Sequence, residues 1–219
     1  TISPRGREPL QLKMNLEVMP FKTVDVPFRY GGFFPAGYFK PWPPHRTDAW
    51  AKAAAEAGMT TMGLFYSAYR EVDAEYIKSL IKLFMRYGVN GPFLVYSYIP
   101  GEVDIALMQG KIRALPDEVI QRQIEVARLF LKWMKEENFP RLIYSAMDEA
   151  HCKGEPYWGE QVRLISAIKK VVPEILTSAT ESDSSYWRIK EYLDVPLLFE
   201  VDDFRLWRVS PEDACKGKE

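Results

Sequence analysis

The chain has 219 residues, 47 % hydrophobic and 27 % charged, with a net charge of −1. A balance this close to neutral gives no electrostatic support for nucleic-acid binding, and no apolar run reaches the ~18–20 residues of a membrane span. The two cysteines, Cys152 and Cys215, form neither a disulfide framework nor a zinc pattern.

Leu10 to Val18 alternates apolar and polar residues, with Leu10, Leu12, Met14, Leu16 and Val18 on one face. That period of two predicts a half-buried strand. A lone strand cannot satisfy both of its edges, so residues 1–27 are read as the end of a β-sandwich domain and its linker.

A different rhythm starts at Phe28. Phe28–Phe34 reads as a strand whose Gly31-Gly32 marks close backbone approach. A loop rich in proline and aromatics follows, and Thr47 is expected to cap a helix ended by Gly58. Thr60–Tyr66 is the second strand. Asp73 caps a helix whose Ile77, Leu80, Ile81 and Phe84 recur at helical spacing up to Gly88.

Pro92–Tyr98 is the third strand, and residues 99–115 form an unusually long connection. Pro116 then opens a helix at its first position, with Asp117 and Glu118 in the first turn. Leu142–Met147 is the fourth strand, and Val162, Ile165, Ile168 and Val172 mark the next helix. Ile175–Ala179, Tyr186–Leu193 and Pro196–Val201 read as strand, short helix and sixth strand.

Strands that are short apolar runs between helical patterns predict parallel βα units covered on both faces. An open doubly wound sheet and a (β/α)8 TIM-type barrel both fit. No Gly-x-Gly-x-x-Gly follows the first strand, which removes support from the nucleotide-binding open sheets. The reading is an α/β fold: an incomplete (β/α)8 barrel over residues 28–209, with a polar tail at 210–219. A typical barrel takes ~250 residues, so about two strands are expected to lie beyond this chain. The start without Met and the lack of a visible signal peptide fit a piece of a longer protein.

In a barrel the loops after each strand converge on one face, where catalytic groups collect. Trp42 and His45 follow the first strand, Tyr66 ends the second and Tyr98 the third. Asp148, Glu149, His151 and Trp158 follow the fourth, Trp187 the fifth and Asp202 the sixth. Trp133, within a helix, is read as structural.

The aromatic and acidic content of that face points to a carbohydrate substrate. Sugar C–H faces pack on aromatic rings, and glycosidic cleavage needs a carboxylic acid at the leaving oxygen. Two adjacent carboxylates diverge along an extended backbone and cannot flank one bond as a spaced nucleophile–acid pair. They suit an acid beside a residue that orients a nucleophile carried by the substrate. The plainer alternatives are an acidic pair at a helix N-terminus, or ion pairs with Arg141 or Lys153. Asp202 and Asp203 show no metal-ligand spacing, and no cofactor is expected.

Three segments, Leu16-Glu-Val-Met-Pro-Phe21, Phe28–Phe34 and the Met147-Asp-Glu149 strand end, resemble glycoside hydrolase family 123. The resemblance spans roughly residues 10–204. It implies a β-sandwich leading into a barrel and cleavage of N-acetylhexosaminides by a retaining, substrate-assisted mechanism. By that likeness Asp148 would orient the 2-acetamido group and Glu149 would be general acid, then base. His45, Trp42, Tyr66, Tyr98, His151, Trp158, Trp187 and Asp202 would contact substrate, and the protein would be extracellular or periplasmic. The alternative is a non-catalytic carbohydrate-binding or scaffold barrel of the same fold.

Overall fold

A computed structural model describes residues 31–34, 41–67, 69, 74–181, 183–195 and 197–198. The expected N-terminal strand Leu10–Val18, the helix cap Asp73, Asp202 and the tail 210–219 lie outside the described residues.

The elements alternate. Strands β1 (Gly31–Phe33), β2 (Thr61–Tyr66), β3 (Phe93–Ser97), β4 (Leu142–Ser145) and β5 (Leu176–Ser178) form one parallel sheet in the order β1-β2-β3-β4-β5. Helices α1 (Pro44–Glu56), α2 (Ala74–Arg86), α3 (Gly101–Met108), α4 (Asp117–Glu136) and α5 (Tyr157–Val171) lie between them. After Ala179 the chain resumes as β6 (Thr180–Glu181), which pairs in parallel with β7 (Leu197–Leu198) across helix α6 (Asp183–Ile189). The mixed α/β reading therefore holds, and the strand order never reverses within the sheet.

Alternation along each strand sorts the side chains. Met62, Leu64, Tyr66, Phe93, Val95, Leu142 and Tyr144 turn toward the helices and join one core with Ile77, Leu80, Ile81, Phe84, Ile124, Phe130, Leu164 and Ile168. Full burial of one such side chain contributes about 1.5–3 kcal/mol. Four residues at helical spacing therefore suffice to dock α2. Leu94, Tyr96 and Ile143 form a separate cluster on the opposite face with Phe65 and Leu176.

Strand register arranges that opposite face in two rows. Gly63, Leu94, Ile143 and Leu176 are successive partners and make an apolar row. One step toward the strand C-termini, Phe65, Tyr96, Ser145 and Ser178 are successive partners, and hydroxyls appear. Gly63 has a packing reason: a Cβ there would stand 2.3 Å from Cδ1 of Phe33, whose ring lies over it.

Three boundaries differ from the sequence expectations. Helix α1 starts at Pro44, because a proline at the first position needs no hydrogen-bond partner for its nitrogen. Thr47 consequently sits inside the helix, its hydroxyl donating to the Pro43 carbonyl. Pro116 precedes α4 as its cap residue and is not its first residue. The connection after β3 contains α3, which buries only Leu107 and so lacks an apolar stripe.

Candidate functional site

Strand β4 ends at Ser145, and the chain leaves the sheet through Ala146 and Met147, both buried. Met147 and Glu149 take left-handed backbone conformations, with φ of 56° and 50°. A bulky non-glycine residue there costs on the order of 1 kcal/mol or more, so neighbouring contacts must hold the turn. Buried Gln161 of α5 donates from Nε2 to the Met147 carbonyl at 2.8 Å. Lys153 Nζ donates to the Asp148 carbonyl at 2.8 Å and to the Tyr157 hydroxyl at 3.2 Å. Tyr157 in turn donates to Asp104 of α3, which ties that helix to the acidic turn.

The two carboxylates meet different surroundings. Asp148 Oδ1 accepts from the Tyr96 hydroxyl at 2.7 Å and from Thr180 Oγ1 at 2.8 Å. Those two hydroxyls are themselves 2.7 Å apart. One carboxylate oxygen thus gathers donors from two other strands, β3 and β6. Both residues are exposed, but the Glu149 carboxylate makes no hydrogen bond or ion pair to another described residue.

Neither carboxylate forms an ion pair with Arg141 or Lys153 among the described residues. Arg141 sits at the opposite end of β4, and Lys153 reaches only the Asp148 backbone.

Burial pushes the Tyr96 phenol well above the ordinary tyrosine range, and the Asp148 charge raises it further. The Thr180 and Ser145 hydroxyls act in the opposite sense. Tyr96 is therefore a neutral donor at any physiological pH. The phenol of Tyr157 is raised likewise, first by burial and then by its bond to Asp104.

An aromatic surface adjoins Asp148. The Tyr96 ring lies 5.8 Å from those of Phe33 and Phe65, and Phe65 stacks on Tyr98 at 6.0 Å. Phe33 is 50 % exposed, an unusual fraction for a phenylalanine on a strand. Rings of this kind offer flat apolar contact beside hydrogen-bonding groups.

The other expected contact residues disperse. Tyr66 points away from this face, into the helix-side core against Phe130 and Trp133. Trp42 meets Phe34 edge to face, and Arg46 lies over the Trp42 ring at 3.9 Å. His45 belongs to the first turn of α1, and with Trp42 it lines an open cleft of about 780 Å³ between α1 and α2. Trp158 is buried in the first turn of α5 beneath the Arg188 guanidinium, 3.4 Å from the ring centroid. Trp187 is 54 % exposed on α6, with Lys190 over its ring at 4.4 Å. The backbone of His151 falls in the 3-10 turn Ala150–Lys153.

Among the expected contact residues whose side chains are described, Tyr98 joins the aromatic group beside Asp148. Tyr96, Thr180, Phe33 and Phe65 belong to the same surface without a sequence signal that singled them out. The available clue for Tyr96 was its parity: it alternates with Phe93, Val95 and Ser97, and so faces away from the helices.

Among the described residues no three His, Cys, Asp or Glu side chains gather as a metal site, and no helix is long and apolar enough to cross a membrane. No protein-family model matches the sequence, and no curated protein matches it.

Proposed function

We propose that the chain forms part of a (β/α)8 barrel glycosidase that cleaves N-acetylhexosaminides by a substrate-assisted, retaining mechanism. The barrel is supported by five parallel strands in unreversed order, with five helices contributing to one core on one sheet face. Apolar residues on the opposite face sit below hydroxyls, in rows set by strand register, as barrel interiors are layered.

The observation that carries the chemistry is the asymmetry of the acidic pair. Asp148 is bound through one oxygen by two hydroxyls, which leaves Oδ2 for a donor from outside the protein. Glu149, one residue on, is bare and exposed. A fixed carboxylate can orient an amide N–H, and a free one can exchange a proton with a leaving group.

In the proposed reaction the 2-acetamido N–H donates to Asp148 Oδ2, and the acetamido oxygen attacks C1 of the same sugar. The C1–O bond to the leaving group breaks as Glu149 gives that oxygen its proton. The products of this half are the free alcohol and a five-membered oxazolinium ion whose positive charge faces Asp148. Glu149, now a carboxylate, takes a proton from water as the water oxygen bonds to C1 and reopens the ring. Two inversions at C1 give net retention. The rings of Phe33, Phe65 and Tyr98 supply the apolar platform for the sugar.

The test is hydrolysis of aryl N-acetyl-β-hexosaminides by the protein. Turnover with retained anomeric configuration, and a counterpart bearing a 2-hydroxyl processed at least about 100-fold more slowly, is the expected result. Equal rates on the two substrates would remove the substrate-assisted mechanism. Glycan binding without turnover would instead identify a carbohydrate-binding barrel.

A further inference from the structure

We infer that Tyr96 and Thr180 are positioning residues: they fix Asp148 through Oδ1 so that Oδ2 alone is presented to the substrate amide, and they thereby set the selectivity for a 2-acetamido group. The inference rests on the substrate-assisted reading. It adds two residues, from different strands, that no motif in the chain singles out.

The geometry supports a positioning role in three respects. Tyr96 is 2 % exposed, and its ring is wedged beside Phe33 and Phe65, so its hydroxyl has little freedom to follow a moving partner. Both donors converge on the same oxygen, at 2.7 and 2.8 Å. A carboxylate held by two donors on one oxygen cannot rotate to exchange its oxygens without breaking both bonds. Finally, the Asp148 backbone is held independently by Lys153, so the hydroxyls govern the side chain and not the turn.

The oxazolinium ion carries its developing charge on the group that Asp148 faces, and hydrogen bonds to a charged group are stronger than those between neutral groups. Loss of the hydroxyls therefore acts on the acetamide-assisted step more than on general sugar contact. Tyr96→Phe keeps the ring that packs on Phe33 and Phe65. Thr180→Val keeps the shape of its side chain, and Thr180→Ser keeps the donor.

The experiment compares Tyr96→Phe, Thr180→Val and Thr180→Ser with the unaltered protein. Each is given an aryl N-acetyl-β-hexosaminide and its 2-hydroxyl counterpart. Binding of a thiazoline analogue of the oxazolinium ion is measured by calorimetry alongside binding of the plain N-acetylhexosamine. Tyr87→Phe, whose hydroxyl bonds Asp48 between α1 and α2, is the control for general damage.

The expected result is a fall of about 10- to 100-fold in kcat on the acetamido substrate and in thiazoline affinity for Tyr96→Phe. KM and plain-sugar binding should change less than about 3-fold. Thr180→Val should fall in the same direction and Thr180→Ser should restore most of the loss, which covers the case in which Tyr96→Phe fails to fold. Parallel losses on both substrates, or a Thr180→Val protein with unaltered selectivity, would overturn the positioning role while leaving the glycosidase reading intact. An unaltered protein that neither turns over the acetamido substrate nor binds the thiazoline overturns both.

Discussion

Gln161 Nε2 donates to the Met147 carbonyl at 2.8 Å, so a fully buried side chain of α5 holds the residue whose left-handed turn carries Asp148 over the sheet. The acidic pair is thus positioned by a helix that follows it in sequence, and its geometry depends on the α5 docking that buries Leu164, Ile165 and Ile168. Gln161→Leu removes the donor and leaves a buried carbonyl unpaired, at a cost of about 1–3 kcal/mol. Denaturant unfolding should show that loss. Activity under conditions where the variant is fully folded should fall more than 10-fold, because the turn is no longer held. Full activity in a destabilised Gln161→Leu protein would show that the turn holds itself.

A second buried amide, Gln123 of α4, ties that helix to β3 and β4. Gln123 Oε1 accepts from Ser97 Oγ at 2.6 Å and from the Tyr144 hydroxyl at 2.8 Å, while Nε2 donates to the Tyr98 carbonyl at 2.8 Å. Gln123→Leu removes hydrogen bonds from the Ser97 and Tyr144 hydroxyls and the Tyr98 carbonyl and should cost about 3 kcal/mol. Adding Tyr144→Phe to that variant removes a buried hydroxyl that has lost its amide partner and should recover part of the loss, giving a coupling of about 1 kcal/mol in a double-mutant cycle. Strict additivity would place the cost elsewhere.

Among the described residues, Glu137 is a source of acid stability. Glu137 at the end of α4 pairs with Lys78 and Lys82 of α2, each at 2.7 Å. Hydrogen bonds from Lys78 and then Lys82 lower its carboxyl from 4.5 to about 2. A carboxyl lowered on folding contributes stability that is fully present above its unfolded value and lost as the pH falls toward the folded one. Urea unfolding between about pH 4.5 and 2 should therefore show a steeper loss for the native sequence than for Glu137→Gln. High salt should reduce the difference, since the pair is partly exposed. Identical acid slopes for the two proteins would contradict the assignment.

Gly63 supplies a packing test of the aromatic surface. An alanine Cβ there meets the Phe33 ring, which must move and disturb its contact with Phe65 and Tyr96. Because Phe33 is half exposed and can yield, Gly63→Ala should cost about 1 kcal/mol. Phe33→Ala in the same chain should remove most of that penalty. An undiminished penalty would mean that the strain lies in the strand backbone.

The βα alternation was legible because burial on one face leaves a spacing that survives in the sequence, as Ile77, Leu80, Ile81 and Phe84 do for α2. Helix α3 left no such trace: it buries Leu107 alone and exposes Ile105 and Met108, so its residues carry no period. The acidic pair was legible as charge at the end of an apolar strand. Its partners were not, because Tyr96 and Thr180 reach Asp148 only when separate strands are brought side by side. Tyr66 shows the complementary limit. It ends a strand as Asp148 nearly does, but its parity matches Met62 and Leu64, and it joins the helix-side core. The first turn of α1, which takes in His45, depended on whether a proline began the helix or preceded it.

In the proposed reaction Glu149 delivers a proton to the leaving oxygen beside an Asp148 that orients the acetamide. The most direct measurement is the leaving-group dependence of Glu149→Gln on aryl N-acetyl-β-hexosaminides. A dinitrophenolate leaves without protonation, whereas a methoxyphenolate needs it. The expected loss in kcat/KM is about 100-fold or more for the methoxyphenyl substrate and less than about 10-fold for the dinitrophenyl one. Equal losses on both substrates, or no loss on either, would contradict that role of Glu149.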